Sequence, residues 1–164
     1  MKSGTSAFTS RMRSRCARGS ASIIICALAA TVGVVAQTTR SSQDGVFTEA
    51  QARRGRELYG QQCFECHNRE LEGKYESAPL AGVEFRSNWE GLPLSELFDR
   101  IKITMSGDNP GMISTGPPPP LTREQTADLV AFIIWFNGAP PGKTELSTKA
   151  EVLREIRYES PKPQ

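Results

Sequence analysis

The chain has 164 residues, room for one domain, and a formal net charge of +2. Its first 36 residues hold five of the twenty basic residues and no acid, so the rest carries 15 basic against 18 acidic residues, a net charge of −3. The basic balance belongs to the N-terminus, and it gives no reason to expect a nucleic-acid partner.

Lys2, Arg11, Arg13, Arg15 and Arg18 precede an apolar run of 16 residues, 21–36, that ends Val34-Val35-Ala36. A basic start, a short apolar centre and a small-residue exit predict an export signal over residues 1–36 and work in the periplasm. The run is shorter than the roughly 20 residues of a full membrane span. An uncleaved anchor is the alternative, and contact with a membrane is expected only in that case. Cys26 follows Ile23-Ile24-Ile25, which lacks the small residues that lipid modification prefers. The remainder divides into a loose polar segment, 37–46, a domain, 47–146, and a C-terminal tail, 147–164.

Thr48 is the first helix cap, with Gln51 completing a capping box, and a helix is expected from about Glu49 to Gln61. It leads into Cys63-Phe64-Glu65-Cys66-His67. Residues 68–94, rich in Gly and Pro, predict an irregular wrap with at most short helices. Ser95 is the next cap, and Leu97, Phe98 and Ile101 at helical spacing carry a helix to about Thr104. Residues 105–121 are irregular and contain Pro110-Gly111 and four consecutive prolines, 117–120, which favour extended polyproline II. Thr122 with Gln125 forms a second capping box. The helix over Arg123 to Phe136 is apolar on most sides and should be the central packing helix. Asn137-Gly138 ends it. A short helix is expected over Lys149 to Ile156, and no strand pattern stands out.

Cys63, Cys66 and His67 carry the chemistry. Two cysteines three positions apart share one face of a helical turn, so both thiols can add to the vinyl groups of one haem. The next residue then sets its imidazole under the iron; this is the attachment signature of c-type haem. A thioredoxin-like redox pair has the same cysteine spacing but needs a βαβ setting. A zinc site needs four ligands, whereas residues 37–164 offer two cysteines and one histidine. His67 is the single histidine, so a second histidine ligand from the same chain is impossible. Met105 and Met112 are the methionines beyond residue 36. Either could fill a gap in a core, or reach the iron from the face opposite His67.

The order of motifs resembles class I cytochromes c over roughly residues 46–146. It is closest to the small periplasmic monohaem proteins and cytochrome subunits that serve quinoprotein dehydrogenases or terminal oxidases. The matching residues are Pro79-Leu80, Gly82, Phe85, Trp89, Leu97-Phe98, Met105, Pro110-Gly111 and the helix running from Ala127 through Asn137-Gly138. The resemblance implies an all-α fold of three to five helices around one covalently bound haem c. It implies Met105 as the axial methionine, favoured over Met112, and Pro79 as the residue whose carbonyl accepts from the His67 imidazole. Trp89 is implied beside a haem propionate, and Tyr59 and Phe132 at the crossing of the first and last helices. Tyr59, Pro79, Leu80, Phe85, Trp89 and Ile101 are the expected haem-pocket residues. Two departures stand out. Ser106, not proline, follows Met105, and residues 112–120 are inserted before the last helix.

The expected function is single-electron transfer between periplasmic or membrane redox partners, a dehydrogenase or terminal oxidase among them, without catalysis by the chain itself. A haem-based gas sensor or enzyme with an open sixth position is the alternative. A third reading is a haem-bearing subunit fixed to a dehydrogenase.

Overall fold

The computed structural model describes residues 39–74, 77–105 and 120–162. The segment 1–36 and Met112 lie outside these residues. Among the described residues no helix is long and apolar enough to cross a membrane.

Helix α1, Glu49–Gln62, starts where Thr48 accepts from the Gln51 amide at 3.1 Å. The expected capping box is only half made. The Gln51 side chain turns inward, and its amide exchanges two hydrogen bonds with the backbone of Leu146, at 2.6 and 3.2 Å. Gln51 is buried, and a buried amide gains more from a matched backbone partner than an exposed cap would. Helix α2, Phe64–His67, is one turn that continues α1 after Cys63.

Helix α3, Gly82–Trp89, lies within the expected irregular wrap. Helix α4, Leu94–Thr104, is capped by Pro93 and not by Ser95, which is buried inside its first turn. Proline has the extended backbone that a cap needs and no N–H to satisfy. Helix α5, Arg123–Phe136, carries the complete Thr122–Gln125 capping box and the bounds expected of it. Its residues from Thr126 to Ile134 are all buried.

The core forms where α1 crosses α5. Gly55 makes the crossing possible, since a Cβ there would stand 1.9 Å from the Asp128 carbonyl oxygen. Tyr59 meets Phe132 one turn further on, with ring centroids 5.2 Å apart, as expected of these two residues. Arg54 clamps the crossing from outside with a two-pronged ion pair to Asp128, both contacts at 3.0 Å.

The ends of the described chain are not loose. Strand β1, Arg40–Ser41, pairs in parallel with β2, Ile156–Arg157, which follows the short helix α6, Ala150–Arg154. This corrects two expectations, a loose segment over 37–46, whose described residues 39–46 are held in place, and a helix running to Ile156. Two-residue strands leave no periodic pattern to read, and their pairing joins positions more than a hundred residues apart. Val46, Phe47, Leu153, Ile156 and Tyr158 are all buried in the core.

Candidate haem-attachment site

The end of α1 delivers the motif. The Cys63 amide donates to Tyr59 O at 2.9 Å, and the His67 amide donates to Cys63 O at 2.9 Å, so helical geometry runs through both cysteines into the histidine. Cys63 is partly buried, Cys66 is exposed, and both thiols are free. Phe64 lies between them at the surface, with Lys74 Nζ 5.6 Å from its ring centre.

After His67 the chain folds back on the turn. Gly73 N donates to His67 O and Lys74 N to Cys66 O, at 3.0 and 2.9 Å. Gly73 has φ of +77°, and a Cβ there would stand 2.1 Å from Ser77 O. Leu71 takes φ of +60°, which is unfavourable for a leucine, and full burial of its side chain holds it there. The Tyr59 hydroxyl donates to Asn68 O at 2.6 Å, tying the last turn of α1 to the same return.

His67 is 5% exposed, and its Nδ1 lies 2.9 Å from the carbonyl oxygen of Ala78. A carbonyl can only accept, so Nδ1 carries the hydrogen and Nε2 keeps its lone pair. Burial pushes the imidazole below its ordinary value, while the bond to Ala78 opposes the shift without cancelling it. The ring is therefore neutral, oriented, and in the tautomer that ligates a metal through Nε2.

The acceptor corrects the role expected of Pro79. Pro79 acts one step away. It excludes Ala78 from helical conformations and so helps to aim the Ala78 carbonyl. The rule that proline restricts the residue before it was the signal that could have singled out Ala78.

The other expected pocket residues are spread over three helices and a loop. Leu80 packs against the core and gives its amide to Leu71 O at 2.7 Å. Phe85 is fully buried, with its ring against Trp89 at 6.0 Å and edge-on to Tyr158 at 5.3 Å. Ile101 is buried on α4, and Met105 follows the last residue of that helix, its amide bonded to Ile101 O at 3.0 Å. Trp89 is partly buried and borders a cavity of about 290 Å³ with Leu92, Glu96, Asp99, Arg100, Ile103 and Thr104. None of Cys63, Cys66 and His67 lines that cavity.

The donor set fits haem better than its rivals. Burial, with Cys66 nearby, pushes the Cys63 thiol up to about 12. It stays protonated at neutral pH, unlike the activated low-pKa thiol of a redox pair. Among the described residues no three His, Cys, Asp or Glu side chains are grouped to hold a metal ion. Two free cysteines on one turn, followed by an imidazole whose Nε2 keeps its lone pair, are the set that covalent haem requires.

Comparison with curated proteins gave no match, and comparison with solved structures gave none either. The family model for cytochrome c matches residues 52–136, just over half of the chain. The match opens in α1, takes in the attachment turn and closes with α5. Members of this family typically transfer electrons and work outside the cytoplasm. The chain belongs to the cytochrome c family, has its all-α fold, and carries covalently bound haem c with its iron.

Proposed function

We propose that the chain is a one-electron carrier exported by residues 1–36 to the periplasm, with Cys63 and Cys66 as the thioether anchors and His67 and Met105 as the axial ligands. The orientation of His67 carries this reading. A buried, neutral ring whose Nδ1–H is held by Ala78 keeps the Nε2 lone pair available for iron. When bound, the haem supplies a reversible ferric–ferrous couple.

The chain's own part is to hold ligands and limit access. Cys63 and Cys66 would each hold the haem through a thioether, the S–H adding across a vinyl group with sulfur on one carbon and hydrogen on its neighbour, so that nothing would be oxidised or lost. Met105 directly follows α4, whose buried face packs in the core, and its own side chain is exposed, so the thioether is not tied up in that packing. With Met105 and His67 as its two protein ligands, the iron would be favoured in the ferrous state and its potential raised. Free or fixed redox proteins, such as a dehydrogenase or a terminal oxidase, are the partners this supports. Sizing the native protein from soluble and membrane fractions separates a carrier from a subunit of a larger complex.

The deciding experiment is the absorption spectrum of the reduced, haem-loaded protein before and after carbon monoxide. An unchanged spectrum means that a strong ligand closes the sixth position. A clear shift means an open or weakly held site and puts the sensor or enzyme reading first. Met105→Ala should open the iron to carbon monoxide and lower the potential, while Met112→Ala should leave the spectrum as it was. The reverse pattern would assign Met112.

A further inference from the structure

We infer that Asn137 is a positioning residue for the His67 imidazole, acting from the end of α5 through Leu80 and Ala78. The inference rests on His67 as an iron ligand and is independent of which group closes the sixth position.

Asn137 is 7% exposed, and its Nδ2 donates to Ile133 O and to Leu80 O, each at 2.9 Å. Both acceptors are carbonyls, so only the NH2 edge of the amide can face them and its orientation is settled. The bond to Ile133 repeats one that the Asn137 backbone amide already makes to the same oxygen at 3.1 Å. The bond to Leu80 does something the backbone cannot, since it joins positions 57 residues apart.

Leu80 is thereby held at both ends of its backbone, its N–H by Leu71 O at 2.7 Å and its C=O by Asn137. Little freedom separates it from Ala78. The Pro79 ring fixes one torsion, and Ala78 is confined to extended conformations by the proline after it. On the other side, Ser77 N donates to Lys74 O at 2.9 Å. The carbonyl that receives the His67 Nδ1–H therefore sits where the Leu80 clamp puts it.

A helix stop alone does not account for Asn137, because Gly138 at φ of +93° already turns the chain. Moreover, Asn137 Oδ1 is buried with no hydrogen-bond partner among the described residues. A buried oxygen left unpaired is a cost, and the Leu80 bond is the contact that offsets it.

A firmly placed acceptor makes the imidazole a stronger donor to iron. Loosening it should favour the ferrous state. The test uses the haem-loaded protein with Asn137→Ala. The rate at which the His67 Nδ1–H exchanges with D2O is followed by NMR, together with the midpoint potential.

Exchange should become about tenfold faster, the scale of one lost hydrogen bond, and the potential should rise. Gln51→Ala is the control, because it removes another buried amide clamp that holds Leu146 instead. It should lower thermal stability and leave exchange and potential alone. Unchanged exchange and potential in Asn137→Ala would overturn the proposal, as would equal shifts in both variants. If Asn137→Ala takes up no haem, Asn137→Ser replaces it, with the same two shifts expected and their absence overturning the link. A parent protein with no iron-shifted His67 resonance would instead overturn the ligation on which the proposal stands.

Discussion

At Gly55 a hydrogen in place of a side chain decides how closely α1 can approach α5. A methyl group there would overlap the backbone of Asp128 and press on Phe132 Cβ at 2.9 Å. Backbone cannot swing aside as a side chain can, so the helices must separate and the Tyr59–Phe132 contact must loosen. Gly55→Ala should therefore cost about 1–3 kcal/mol, despite the better helix propensity of alanine. A lower guanidinium midpoint of the haem-loaded protein would show it, and an unchanged midpoint would mean that the crossing is looser than these distances imply. Arg54 and Asp128 reinforce the same spot, but Arg54 is about half exposed, so its ion pair contributes less than the contact beneath it.

Helix ends show how one local pattern can have two outcomes. Thr122 and Gln125 complete their box near the surface, each side chain accepting from the other residue's backbone N–H. Thr48 and Gln51 have the same spacing, but Gln51 lies on the buried face of α1 and pairs with Leu146. Thr122→Ala should thus cost about 1 kcal/mol, the usual worth of a cap. Gln51→Ala strips two buried backbone groups of their partners and should cost about 1–3 kcal/mol. Thermal unfolding of the two variants side by side checks the ranking. A Thr122 variant less stable than the Gln51 variant would contradict it.

Across the whole molecule, the two ends of the domain are fastened to each other. Arg40 N donates to Glu155 O at 2.8 Å, and Ser42 and Glu159 exchange a pair of bonds through the serine hydroxyl. Tyr158 exchanges backbone bonds with Gly91 and Leu92, both at 2.8 Å, and sets its ring against Phe85. The segment beyond residue 146 is thus part of the core that supports α3 and α4. Tyr158→Ala should destabilise the haem-loaded protein by about 3–5 kcal/mol, as loss of a buried aromatic does. Equilibrium unfolding measures this, and a loss below about 1 kcal/mol would mean that the tail is an accessory.

Much of this was legible in the amino-acid order, and the limit has a physical cause. Chemistry that fits within one turn can be read directly, as in Cys63, Cys66 and His67. So can a helix with its caps and apolar faces inside its own span, as in α5. The order of motifs also revealed the family. What depended on distant partners could not be read in this way. Asn137 looked like a helix stop until its amide was found on Leu80, and Pro79 looked like the acceptor until Ala78 proved to hold the imidazole. The segment over 37–46 looked loose because Arg40 and Ser41 find their partners at Glu155, Ile156, Arg157 and Glu159. Local pattern reports only what a residue can do with its near neighbours. Which buried donor meets which acceptor was decided by the tertiary structure, because a buried polar group must find its partner wherever the fold brings one within reach.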